Sequence, residues 1–533
     1  MVAAYALLGW LLLQVADIVI PAIALPKWTM TVIVSAYFLG FVPVAVLSWI
    51  FELTPQGLQR DLRRLTAGGF RRSIAVLPFV NMSDDAANEY LSDGLSEELL
   101  NLLAKIPELR VAARTSSFSF KGRHVKITQV ADELNVAYVL EGSVRKSGDQ
   151  VRITAQLIDA VHDTHILSET YDRKLDDIFA IQDEIAAAVV DALKVTLLGQ
   201  VPKTRETVPE CYALYLQGRH FADLNTEAGY RKAEELLKQS IEIAPDYAPT
   251  WNVLGEVYSR LTNFTPLTID AGNTQARAAV EKALSLDPQL AAAYATLAWI
   301  EIYYDRDLQA AAEHLRHAIA LDPCDARSLR WAALLLSMLG RIGEAIVVGE
   351  EVVACDPVNP VGYYNLGLYY YIEGRLDEAQ SMFEKHLAMG GSADGGHFSI
   401  GKVLLAKGDP EAALDAAERE TDPGWRLEGI ALACHDIGRS KDSLDAMTEL
   451  VSGFSVDMAY NIAEANAYIG NIDAAFDWLQ TAYENRDGGL TEMKREPLMA
   501  NLHVDPRWAG LLTKLGLNDE QLAPIEFTVS LPQ

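Results

Sequence analysis

The hydrophobic and polar positions along this chain change their period twice. Residues 2–25 and 28–51 are two nearly unbroken apolar runs joined by Pro26 and Lys27. Each is long enough to cross a hydrocarbon core of about 30 Å, which takes roughly 20 helical residues. Two spans so joined predict a membrane helical hairpin over 1–52, with both ends emerging on one side. The first run has no basic flank and is followed by a second full-length run, which does not fit a cleaved signal peptide. From residue 73 the pattern becomes that of mixed strands and helices. Ser73–Val80 (SIAVLPFV) reads as a strand. Leu91, Leu95, Leu99, Leu102 and Leu103 form a helical stripe over Tyr90–Lys105. Leu109–Ala113 reads as a short strand and Ile127–Leu134 as a short helix. Ala137–Arg145 and Val151–Asp159 alternate about a Ser147–Gly148–Asp149 turn, the pattern of a hairpin. Thr164–Arg173 is a further strand and Asp177–Leu198 a long amphipathic helix. These elements predict an α+β domain with a mixed sheet over 73–200.

From about residue 209 the pattern is purely helical and repeats. Pro288, Pro323 and Pro357 are 35 and 34 residues apart, and Pro245 precedes them by 43, which places an insertion at 263–272. Six residues after each proline comes a bulky side chain: Trp251, Tyr294, Leu329 and Tyr363. Ten residues after it comes a small one, Gly255, Ala298, Ala333 or Gly367, where two helices of a repeat can approach closely. Gly340 and Gly374 fall between the helices of a pair, and Ala345 and Ala379 take the small site of the second helix. This period and these sites resemble the tetratricopeptide repeat. The resemblance implies an all-α solenoid of about seven to nine helix pairs over 209–517. It is closed by DPRWAGLLTKLGL at 505–517, a cap over the last apolar face, and a tail follows at 518–533.

The middle segment has its own resemblance. IAVLPFVNMSDDAANEYLSDGLSEELLNLLAKIPELRVAARTSSFSFKG, YVLEGSVRKSGDQVRITAQLIDA and YDRKLDDIFAIQDEIA resemble the TolB amino-terminal-like domain of bacterial membrane-linked proteins with tetratricopeptide repeats. The sequence departs from that family at Leu167, where Trp is usual, and lacks a basic stretch before the first span. Family members can carry an adenylate cyclase or a winged-helix DNA-binding domain upstream, a place the apolar runs take here. The expected fold class is thus a membrane helical hairpin, a TolB-like α+β domain with a mixed sheet, and an all-α tetratricopeptide solenoid.

Charge narrows the partners. The net charge is −28. Residues 1–72 hold six Lys or Arg and three acids, net +3, which leaves −31 for the rest. So acidic a body repels phosphate backbones, and no nucleic acid is expected as a partner. The basic linker at 53–72, with Arg60, Arg63, Arg64, Arg71 and Arg72, fits lipid headgroups. Basic flanks stay in the cytoplasm, so the expectation is a multi-pass protein of the bacterial inner membrane with cytoplasmic soluble domains, the alternative being periplasmic. Gln14 and Asp17 share a face of the first span and are candidates for a helix–helix contact that would suit a homo-oligomer.

Candidate chemistry is sparse. Asp84, Asp85, Glu89, Asp93, Glu97 and Glu98 cluster near a helix start, where the helix dipole favours them, without the spacing of a calcium loop. His162 and His165 would point to opposite faces of a strand. No phosphate loop and no nucleophile elbow occur. Cys211, Cys324, Cys355 and Cys434 are widely spaced and read as small buried hydrophobes. No metal and no cofactor is expected, and the chain is not expected to be an enzyme. The tetratricopeptide resemblance implies a concave face made by the first helix of each pair, and places Asn252, Glu256, Trp299, Tyr303, Arg330, Tyr364 and Tyr371 on it as partner contacts. The expected function is a membrane-anchored scaffold that recruits proteins or peptides in signalling, stress sensing or complex assembly. The alternatives are an accessory subunit of a separately encoded cyclase or regulator, which would co-purify with it, and a small-molecule sensor, which its ligand would stabilise.

Overall fold

The computed structural model describes residues 51–54, 57–60, 73–83, 85, 88–106, 109–193, 205–262, 269–391 and 395–531. Residues 1–72 and 73–533 are two separate units. In the first, β1 (Phe51–Thr54) and β2 (Gly57–Arg60) form an antiparallel hairpin in which Phe51 pairs with Arg60. The sequence reading had a helix running to residue 51 and a linker from 53. Pro55 explains the difference: it has no N–H to donate and pushes the residue before it into extended backbone. The remainder of the expected spans at 2–25 and 28–51 lies outside the described residues. Among the described residues no helix is long and apolar enough to cross a membrane.

The second unit begins with the α/β domain. Its strands are β3 (Ser73–Val76), β4 (Val80–Asn81), β5 (Arg110–Val111), β6 (Tyr138–Ser147), β7 (Gln150–Asp159) and β8 (Thr164–Lys174). The order is β5-β3-β6-β7-β8, with β4 also on β6. β3 runs parallel to β5 and β6, whereas β6, β7 and β8 form an antiparallel meander. The predicted mixed sheet and its hairpin are present. The strand expected over 109–113 shrinks to two residues, because α2 (Arg114–Phe118) starts immediately after. Side-chain alternation sorts the two faces. Ile74, Val76, Leu140, Ile153 and Leu157 pack under α1 (Glu89–Ala104) and α4 (Ile178–Ala192). Ala75 and Val139 pack under α3 (Ile127–Leu134) on the other face.

Eight helix pairs follow among the described residues. They are α5 (Pro209–Ala222) with α6 (Glu227–Ile243), α7 (Ala248–Leu261) with α8 (Ile269–Leu286), α9 (Ala291–Ile300) with α10 (Leu308–Leu321), and α11 (Ala326–Met338) with α12 (Ile342–Cys355). Then come α13 (Pro360–Ile372) with α14 (Leu376–Ala388), α15 (Gly396–Ala406) with α16 (Pro410–Arg419), α17 (Pro423–Ile437) with α18 (Ser440–Phe454), and α19 (Ala459–Ile469) with α20 (Ile472–Glu484). The 34-residue spacing has a local cause. Trp251 Nε1 donates to the Pro245 carbonyl at 2.9 Å, Tyr294 Oη to that of Pro288 at 3.1 Å, and Tyr363 Oη to that of Pro357 at 2.9 Å. The bulky residue six places on thus ties the first helix of a pair back to the turn before it. The small site ten places on is a close approach: a Cβ on Gly367 would lie 2.8 Å from the Phe383 ring, and one on Gly255 would lie 2.5 Å from Val280. Most of the insertion expected at 263–272 lies outside the described residues, and α8 begins within it.

The C-terminus is more than a cap. α21 (Pro506–Leu515) covers the last pair as expected, with Asp505 capping its first turn. The segment before it, Gly488–Leu502, folds back along the first helices of the pairs as two short 3-10 turns. The expected tail at 518–533 forms α22 (Asp519–Leu522) and then packs, with Phe527 fully buried and its carbonyl accepting from Arg341. One core therefore joins α9–α14 to residues 459–527.

Candidate functional site

The concave wall is built by the first helix of each pair, and the chain's own segments cover much of it. On the N-terminal half the α/β domain is clamped by charge. Arg114, at the start of α2, donates to Glu97 of α1 at 3.0 Å and to Asp223 at the end of α5 at 2.8 Å. Arg219 of α5 reaches the other oxygen of Glu97 at 2.5 Å. The far edge of the domain meets the turn between α12 and α13. Ser116 Oγ donates to Asp356 at 2.5 Å and accepts from the Val358 N–H at 3.2 Å, the Ala113 N–H donates to the Cys355 carbonyl at 3.0 Å, and Arg110 donates to the Ala354 carbonyl. The domain thus bridges the first helix pair and the end of the fourth.

The seven groove residues expected from sequence fall along this wall with different exposures. Asn252 is buried, donating to Glu256 at 3.0 Å and accepting from Thr296 at 3.2 Å. Tyr371 is also buried, under the Lys402 ammonium. Neither presents a free surface, and both are corrected from partner contacts to packing residues. Asn252 is held by Glu256 of its own helix and Thr296 of the next first helix, and the Tyr371 ring is covered by Lys402. Glu256 is half-buried and accepts from Arg327 at 2.7 Å. Burial would raise its pKa, but Arg327, Arg219 and Arg260 outweigh it and hold the carboxyl below the usual range. Trp299 lies beneath Arg260 and against Tyr303 and Tyr304. Tyr303 meets Trp331 edge-on at 5.9 Å and faces the Gly488 turn. Arg330 stacks on Trp331 at 4.5 Å, its Nε lacking a partner among the described residues, and burial chiefly lowers its pKa. Tyr364 packs on Phe383 and His386. Gln14, Asp17, Arg63, Arg64, Arg71 and Arg72 lie outside the described residues, and Arg60 ends β2.

Sequence reasoning missed a buried cluster of charge in the C-terminal half of the solenoid. Lys402 of α15 is buried and donates to Glu464 of α19 at 3.1 Å and to Glu496 of the fold-back segment at 2.9 Å. Its ammonium also lies over the rings of Tyr371 and Phe398. Glu428 of α17 is buried beside them and accepts from Asn461 at 3.1 Å. Glu492 lies on the same face. Burial first, then neighbouring carboxylates, pushes Glu464 and Glu492 up to about 7 and Glu428 upward as well, against the pull of Lys402. A charge within an otherwise apolar first helix, as in GKVLLA, LEGIALA and IAEANAYI, is the signal that could have found them.

The acidic cluster of the α/β domain is an ion-pair surface more than a helix cap. Lys121 binds Asp93 and Glu89 at 2.6 and 2.9 Å, and Glu97 takes the two arginines. Burial, with Glu97 beside it, pushes Glu98 up to about 7. His162 binds Asp159 in the β7–β8 turn, apart from His165 on β8. Among the described residues no three His, Cys, Asp or Glu converge to hold a metal. Cys211, Cys355 and Cys434 are buried, and all four cysteines are free. A surface cleft of about 630 Å³ lies between the α11–α12 turn and the fold-back segment, lined by Arg341, Glu344, Glu373, Lys494, Arg495 and His503.

Comparison with known proteins finds a likeness for stretches of both parts. Residues 70–188 match the HilA/YgeH-like transcriptional regulator second domain, in place of the TolB amino-terminal-like family named above. Residues 303–360 and 364–425 match tetratricopeptide repeats. A protein of Rhizobium meliloti (strain 1021) named "Putative adenylate cyclase 3" is 42% identical over 180 residues, 33% of this chain and 31% of that protein. The transcriptional regulator HilA of Salmonella typhimurium (strain LT2) is 22% identical over 317 residues, 58% of this chain and 55% of that protein. The chain therefore spans 31% and 55% of the length of these two relatives. Similar solved structures are human IFIT1 with a capped RNA (TM-score 0.37, 11% identity, 57% of this chain and 77% of that chain) and Pseudomonas aeruginosa pilF (TM-score 0.32, 22% identity, 39% and 93%).

Proposed function

We propose that this chain is a regulatory docking protein, an accessory module that binds a separately encoded effector through its solenoid. The observation that carries this reading is the concave wall. One half is clamped to the α/β domain by Arg114, Glu97 and Arg219, and the other half is lined by half-buried aromatics and charge. Tetratricopeptide repeats are a protein-binding architecture, and the α/β domain resembles a part of a transcriptional regulator. An adenylate cyclase or a transcriptional regulator is the class of effector that these likenesses favour, and the module works by binding rather than by catalysis. The apolar runs at 2–25 and 28–51 would tether it to the inner membrane, with the basic linker on the cytoplasmic side.

The test is chemical cross-linking in cells carrying the full chain, compared with Trp299→Ala/Tyr303→Ala on the same background. One effector captured by the native chain and lost with the double variant supports the reading. Identical capture by both overturns it. Reporter fusions after Gln533, one active only in cytoplasm and one only in periplasm, test the tether: a periplasmic signal overturns the cytoplasmic assignment.

A further inference from the structure

The inner wall of the C-terminal half carries more carboxylate than its own cation neutralises. Glu428 of α17 and Glu464 of α19 line the wall, and Glu492 and Glu496 arrive on the fold-back segment. Lys402 binds Glu464 and Glu496. Glu428 Oε2 takes the Asn461 amide, while Oε1, shielded from solvent, has no hydrogen-bond partner among the described residues. The Tyr460 hydroxyl, also shielded, has none either. Both atoms lie within electrostatic reach of Glu464 and Lys402. The segment that occupies the wall thus adds two carboxylates to a wall that already holds two, and like charges repel more strongly away from water. The unpartnered acceptors point to a cationic occupant.

A metal ion does not fit, because the carboxylates are strung over successive helices and do not converge. A lysine or arginine side chain does. It brings a positive charge and several donors on a long stem, and the guanidinium fork spans two acceptors. We infer that the C-terminal half of the concave wall receives a basic polypeptide segment of the partner, which seats a lysine or arginine between Glu428 and Glu464 in place of Gly488–Leu502. This rests on the docking reading above and names the partner's chemistry.

The test uses the full chain in mild non-ionic detergent at about pH 8, above the value of about 7 to which Glu464 and Glu492 are raised. The probe is a short fluorescent peptide of alternating arginine and alanine, followed by anisotropy. Glu428→Gln/Glu464→Gln weakens binding by about tenfold or more. Glu234→Gln/Glu235→Gln, on the outer face of α6, leaves it unchanged. Hydrogen exchange of residues 488–502 rises when the peptide binds. Equal affinity for the double variant, an equal loss with the α6 control, or unchanged exchange at 488–502 overturns the inference. Displacement of the peptide by spermidine at equal charge concentration also overturns it, in favour of a small polycation. Should the double variant fail to fold, Tyr460→Phe decides: a several-fold loss supports the site and unchanged affinity overturns it. A partner that docks on the solenoid but is indifferent to Glu428 and Glu464 overturns this inference alone and leaves the docking reading standing.

Discussion

Lys402→Met isolates the charge at the centre of the solenoid. Methionine keeps a stem of similar length, so the packing against Tyr371 and Phe398 persists while the ammonium is lost. Glu464 and Glu496, now 3.1 and 2.9 Å from that ammonium, are then left without it. The side chains of Lys402, Glu464 and Glu496 are 8%, 2% and 5% exposed, which puts this group in the buried class. Breaking a buried pair by removing one partner costs about 3–5 kcal/mol. The same change at the exposed pair Lys407–Asp377 costs about 0–1 kcal/mol. Burial has already raised the Glu464 carboxyl to about 7, so it can relieve part of the cost by taking up a proton. The loss is therefore largest at about pH 8 and shrinks as pH falls through about 7. Urea unfolding reads it, with tryptophan fluorescence and hydrogen exchange over α15 and α19 as separate probes, since solenoids open in segments. Equal losses for Lys402→Met and Lys407→Met, or a loss that does not shrink in acid, would refute the buried-charge account. A triple Lys402→Met/Glu464→Gln/Glu496→Gln variant should recover most of the stability, because no charge is left uncompensated.

Three further outcomes are expected. Glu98, Glu464 and Glu492 are raised to about 7 from an ordinary 4.5, so their stabilisation is complete below about 4.5 and is lost as pH rises through 7. Glu256 and Asp287 are lowered and lose theirs as pH falls below that range. The native unfolding midpoint should peak near pH 5 and decline toward pH 8, and a midpoint that climbs steadily to pH 8 would contradict the burial of these acids. Gly142→Ala places a Cβ 2.2 Å from the Thr154 carbonyl and 2.4 Å from the Phe79 ring, which forces β6 away from β7. It should destabilise the α/β domain by about 1–3 kcal/mol or more, read by urea midpoint. Arg114→Ala cuts the clamp at a partly exposed site, so stability should fall by only about 1 kcal/mol. Hydrogen exchange at 112–118 and 219–225 should rise together, since both sides of that contact are released.

Much of the fold was legible. The alternation at 138–159 announced its hairpin, and the proline period announced the helix pairs, because both patterns arise from contacts within some forty residues. Trp251, Tyr294 and Tyr363 show why: each bonds to the proline carbonyl six places before it. The site was less legible. Asn252 and Tyr371 occupy groove positions by register, yet neighbouring helices bury them. The tail at 518–533 has no periodic signal, and Phe527 is nonetheless fully buried.

The sequence by itself determined the mixed strands and helices of the α/β domain, the run of helix pairs after it, and the small sites where helices meet. Those are local properties of period and steric size. The tertiary structure alone decided what faces the concave wall. Arg114 finds Asp223 across 109 residues, Ser116 finds Asp356 across 240, and Lys402 finds Glu496 across 94. No pattern in the chain encodes such pairings directly. They exist because the superhelix curves far enough for the α/β domain and the C-terminal segment to lie against its inner face, and because buried charge must then find a partner there.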